Sequence, residues 1–160
     1  MMEQMKAKYK RILIAVDDTE CSKKALEHAL YFATMKGTIL GLVHVTEHAT
    51  PTNYGVDPLM GQQAIIVPES IHIQESAALQ LLEEIKKNLE ASNNLGEIVC
   101  FHRTGIPRQE ILAVSIEWEA DLIVMGTHGR TGFDHFISGS VSESVLRRAS
   151  CPVLIVPGKC

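Results

Sequence analysis

Hydrophobic residues fall into two alternating rhythms along this chain. Short unbroken apolar runs, the mark of strands covered on both faces, alternate with stretches in which apolar residues recur every three or four positions, as a helix with one buried stripe requires. The runs predict strands at Arg11–Val16, about Thr38–Val45, Glu97–His102, Leu122–Met125 and Pro152–Val156. Ala25, Leu26, Ala29, Leu30 and Ala33 mark a helix from about Thr19 to Met35, with Gly37 as its stop. Ala77, Ala78, Leu81, Leu82, Ile85 and Leu89 mark a second over about Glu69–Ser92, where Glu83 is placed to pair with Lys87. A third runs from Pro107, a residue suited to a first helical turn, to about Glu119, and a fourth follows Ser140. His48–Pro68, with Pro51, Asn53, Gly55, Pro58 and Gly61, breaks both rhythms and reads as an irregular surface excursion and candidate lid.

Strand–helix alternation of this kind predicts a single α/β domain spanning residues 1–160, an open five-stranded parallel sheet with right-handed crossovers and helices on both faces. Such sheets bind ligands beyond the carboxyl ends of their strands, where the strand order reverses. The runs alone do not fix that order.

The segment with the most chemistry opens on Leu122-Ile123-Val124-Met125 and continues as G-x2-G-x9-G-S, with Gly126, Gly129, Gly139 and Ser140, before the fourth helix. Glycines let backbone N–H groups approach an anion closely, and the first turn of a helix adds unpaired donors and the positive end of its dipole. The spacing therefore predicts a phosphate cradle, with the Ser140 hydroxyl as a further donor and Arg130 offsetting charge. An ordinary glycine-rich strand-to-helix loop is the alternative. The P-loop pattern G-x-x-x-x-G-K-[ST] is absent, and the spacing is not that of a dinucleotide fold.

Composition narrows the partners. A formal charge of −4 supplies no basic field for nucleic acid, so nucleotide binding is expected as a local pocket effect. No apolar run has the length of a membrane span, and MMEQMKAKYKR leads into a strand without a signal-peptide core, so a cytoplasmic protein is expected. Cys21, Cys100, Cys151 and Cys160 show no C-x-x-C pairing and read as thiols. Among seven histidines, His44 and His48 are not on one helical face, and no metal centre is expected. His128, Asp134 and His135 lie within or beside the glycine loop, within reach of a ligand or of nucleotide-bound Mg2+.

These segments resemble the universal stress protein family over nearly the whole chain. Ile12-Leu13-Ile14-Ala15-Val16-Asp17 with Cys21-Ser22-Lys23-Lys24-Ala25-Leu26 is similar to the family's first strand and helix, and Leu42-Val43-His44-Val45 to its second strand. Gly105-Ile106-Pro107 followed by Ile111 resembles the turn that launches the third helix, and the glycine–serine spacing resembles the ATP-binding subset. The resemblance implies a Rossmann-like, adenine nucleotide alpha hydrolase-like sheet in the order 3-2-1-4-5, which sets Asp17 and Gly126 on one crevice. It implies Asp17 near adenine and ribose, whereas the residues alone also allow a helix N-cap shared with Asp18 and Thr19. Leu40 and Ala15 would line the base, and Met125, Val141 and Ser142 would complete the wall. Family members often carry proline where Ala15 stands and glycine where Asp18 stands.

The implied function is an ATP-binding stress-response module, at most a weak ATPase. The alternatives are a nucleotide hydrolase or phosphotransferase using Asp134 or a histidine, and an interaction module binding another adenine nucleotide such as cyclic AMP. A homodimer is expected through the C-terminal strand, placed at a sheet edge by the implied order; the alternative is an edge covered by Met1–Lys8.

Overall fold

The structure is a computed structural model describing residues 9–33, 37–47, 68–92, 96–127 and 141–157. The strands are β1 (Arg11–Ala15), β2 (Ile39–Thr46), β3 (Ile98–Thr104), β4 (Leu122–Gly126) and β5 (Val153–Val156). Between them run α1 (Glu20–Ala33), α2 (Pro68–Ser92), α3 (Pro107–Glu117) and α4 (Val141–Arg148). The sheet is parallel and ordered β3-β2-β1-β4-β5, so the order reverses between β1 and β4.

Alternation along β1 decides which helices it carries. Ile12, Ile14 and Val16 pack with Ala25, Ala29 and Ala33 of α1 and Leu82 and Leu89 of α2. Leu13 faces the opposite layer, with Ile111 and Val114 of α3 and Val145 of α4, and Ala15 packs there too. Ile12, Leu13 and Ile14 are fully buried, each contributing roughly 1.5–3 kcal/mol relative to exposure. In β2, Gly41 lies under the Trp118 ring: a Cβ there would come within 2.7 Å of it, so this central strand needs a residue without a side chain.

Elements end a few positions from their expected bounds, for local reasons. β3 runs past His102 to Thr104 because its ladder with β2 continues to the pair Thr46–Thr104, and polar side chains are tolerated on its half-exposed edge. α3 stops at Glu117 rather than Glu119. Glu119 turns left-handed (φ 52°), its N–H bonds the Ile116 carbonyl, and the Ala120 N–H bonds that of Ser115, a Schellman closure of the helix. The expected excursion at 48–68 falls, except for Pro68 at the start of α2, outside the described residues.

The amino ends of the central strands are tied across the chain. Asp121 Oδ2 accepts the N–H groups of Lys10 (2.8 Å) and Arg11 (2.9 Å), and the Asp121 N–H returns to the Arg11 carbonyl. Arg11 Nη1 also reaches Glu119 Oε2 at 2.7 Å and donates to the Trp118 carbonyl.

Candidate functional site

At the carboxyl end of β1 the chain folds into a polar turn. Thr19 is the N-cap of α1, its Oγ1 accepting the Ser22 N–H, while Ser22 Oγ accepts the Asp17 N–H at 2.8 Å. Asp17 itself does not cap the helix. Its Oδ1 accepts both the N–H and the hydroxyl of Thr19, and no hydrogen bond from a described residue engages Oδ2. The turn thus fixes the half-buried carboxylate by one oxygen.

Across the switch point, β4 ends at Gly126. A Cβ there would lie 2.9 Å from Cys21 Cβ and 3.0 Å from the Cys21 carbonyl carbon and oxygen, so the absent side chain lets the first turn of α1 settle against β4. The sequence pattern gave this glycine a phosphate-binding role; the geometry adds a packing one. Val141 and Ser142 open α4, and the buried Ser142 donates its hydroxyl to the Thr127 carbonyl at 3.3 Å, fastening the helix to the residue after Gly126. Glu143 would oppose an anion at this helix start, and Arg147 pairs with it at 3.0 Å. Gly129, Arg130, Gly139 and Ser140, with His128, Asp134 and His135, lie outside the described residues.

Of the residues that the resemblance sets around the base, Leu40 lies apart from the others. Ala15 and Val141 are half-buried on the α3/α4 face, with Met125 buried beside them. Leu40 is on neither the right end nor the right face. It pairs with Ile12 and Ile98 near the amino ends of their strands, is 1% exposed, and packs in the α1/α2 core. The β2 residue sharing the face of Ala15 at the carboxyl end is Val45, half-buried and about 16 Å further along the strand. Period-two counting from Val43, the partner of Ala15, is the signal that finds it.

Further along the same edge, buried His44 directs Nδ1 to the Val16 carbonyl at 2.7 Å, and His102 Nε2 meets Thr46 Oγ1 at 2.9 Å. Among the described residues no three His, Cys, Asp or Glu side chains form a group able to hold a metal ion, and no helix is long and apolar enough to cross a membrane. Cys100, on the exposed side of β3, and half-buried Cys151 are free thiols, both raised from the ordinary cysteine value by partial desolvation, with Lys86 opposing the shift at Cys100. Cys21, expected as a thiol, is buried and disulfide-bonded, its partner lying outside the described residues.

The fold as a whole recurs among known proteins. The model of the universal stress protein family matches residues 8–157. A universal stress protein of Methanocaldococcus jannaschii is 30% identical over 160 residues, covering 97% of this chain and 99% of its own. The UspA structure from Lactobacillus plantarum shares the fold at a TM-score of 0.72, 22% identity, and coverage of 94% of this chain and 99% of its own. A universal stress protein in complex with cAMP gives a TM-score of 0.66 at 21% identity, with coverage of 92% and 97%. One from Arabidopsis thaliana with AMP bound gives 0.63 at 17% identity, with coverage of 94% and 93%. With its match running through every described strand and helix, the chain belongs to the universal stress protein family.

Proposed function

We propose that this protein binds an adenine nucleotide, ATP, in the crevice between the carboxyl ends of β1 and β4, and that occupancy sets the state of a stress-response module. The observation that carries the reading is the Asp17 turn, which holds one carboxylate oxygen and leaves Oδ2 for a ribose or base donor opposite the glycine-ended β4. Ala15, Val45, Met125 and Val141 supply an apolar wall for the base, and Ser142 anchors the start of α4. Gly126, Gly129, Gly139, Ser140 and Arg130 would surround the phosphates and any accompanying Mg2+. Neighbours of the same fold holding cAMP and AMP support adenine as the common element, with the phosphate count open to variation.

Hydrolysis is slow or absent, because the sequence lacks the metal-holding motif and lysine of efficient NTPases. The working form is a cytoplasmic homodimer. β5 is an edge strand, and Val153, Leu154 and Ile155 remain half-exposed on it, which suits an antiparallel two-fold contact.

Nucleotide released by denaturing freshly purified protein tests the reading. Adenine nucleotide at near-equimolar yield, with phosphate release below about 1 per second on added ATP, supports it. Protein that carries no nucleotide and takes up none when ATP is added sinks it.

A further inference from the structure

Pairing of β1 with β2 ends at Ala15–Val43, followed by the bond from the Val16 N–H to the Val43 carbonyl. Beyond that point β1 turns away, and the Val16 carbonyl leaves the ladder. A buried carbonyl left without a donor destabilises the fold. His44, 6% exposed and one residue past Val43, supplies that donor through Nδ1 at 2.7 Å. A carbonyl can only accept, so the proton sits on Nδ1. The His102 ring, 6.4 Å away and within 15° of parallel, stands alongside on β3.

We propose that His44 is a positioning residue of the nucleotide site, fixing through the Val16 carbonyl the turn that holds Asp17. The proposal rests on the nucleotide reading above. Val16 is the residue before Asp17, and the bonds among Asp17, Thr19 and Ser22 close that turn upon itself. His44 fastens the closed turn to β2. Without it the turn keeps its internal bonds but swings as a unit, and the Asp17 carboxylate no longer meets the ligand at a fixed place. A histidine that only repaid a buried carbonyl would stabilise the fold without acting through Asp17.

Calorimetric titration of the full chain with ATP separates the two, using His44→Leu, His44→Asn, Asp17→Ala and the His44→Leu/Asp17→Ala double variant. His44→Leu is expected to weaken ATP about tenfold, the scale of one hydrogen bond. His44→Asn places an amide N–H near the Nδ1 position and is expected to restore most of that affinity. In the Asp17→Ala background the leucine substitution should cost nothing further. Equal affinity in wild type and His44→Leu, failure of asparagine to recover binding, or fully additive losses would overturn the proposal while leaving the nucleotide reading intact. A wild-type protein that binds no ATP overturns the nucleotide reading, and this proposal with it. Should His44→Leu not fold, His44→Gln replaces it, carrying its donor one bond too far out, with the same expected loss.

Discussion

The two ends of the sheet use one device to opposite effect. At the amino end, a single oxygen of Asp121 takes two backbone N–H groups from the chain entering β1, tying residues 110 and 111 positions apart. At the carboxyl end, a single oxygen of Asp17 takes two donors from Thr19, only two positions away. The first bond set crosses between strands and shuts the bottom of the sheet. The second closes a local turn, which His44 and the last rung at Val16 carry onto β2. One end of the sheet is therefore tied by long-range bonds and the other shaped by local ones.

The sharpest break of that comparison comes from Leu40, which the resemblance assigns to the base and the structure places in the closed end. Leu40→Ala should cost about 2–5 kcal/mol in urea unfolding, with unchanged ATP affinity in the folded protein. A selective loss of ATP binding at unchanged stability would restore Leu40 to the site. Gly126→Ala, by contrast, should disturb fold and binding together, losing about 1–3 kcal/mol as the methyl group meets the Cys21 backbone and separates α1 from β4. Thermal melts with and without ATP would read both effects.

The two aspartates give the paired test. Asp121→Ala removes the acceptor of two backbone donors and should lower stability by about 1–3 kcal/mol while leaving ATP affinity alone. Asp17→Ala should cost only about 1 kcal/mol of stability, yet weaken ATP by about tenfold or more. Matching profiles for the two variants would erase the distinction between the ends. The smallest effect concerns Cys100. Although Cys100 is exposed, partial desolvation raises its thiol pKa, so less thiolate is present near neutral pH; alkylation should run slower than for a free cysteine and accelerate as pH rises toward the shifted value. Alkylation as fast as that of a free thiol at pH 7 would contradict this.

Strands, helices and their alternation are legible in the sequence because burial on both faces leaves unbroken apolar runs such as Ile12–Val16 and Leu122–Met125. Strand order is not in those runs; the family resemblance supplied it, and the ladders agree. What the pattern hides is which end and face of a strand a residue occupies. Leu40 and Val45 are both apolar residues of β2, and only the register with β1 tells the core position from the crevice position. Gly126 shows a second limit, since a glycine required by a neighbouring helix looks the same as one required by phosphate. His44 shows a third: the carbonyl it satisfies is orphaned only because β1 diverges from β2 one residue past the last pair.

The claim that the crevice beyond β1 and β4 holds an adenine nucleotide is tested most directly by calorimetric titration of ATP into wild type, Gly129→Val and Gly139→Val. The account predicts saturable binding by wild type and its loss in both variants, whose added side chains fill space reserved for phosphates, with the fold intact by circular dichroism. Undiminished ATP affinity in both folded variants, or no binding by wild type, would contradict it.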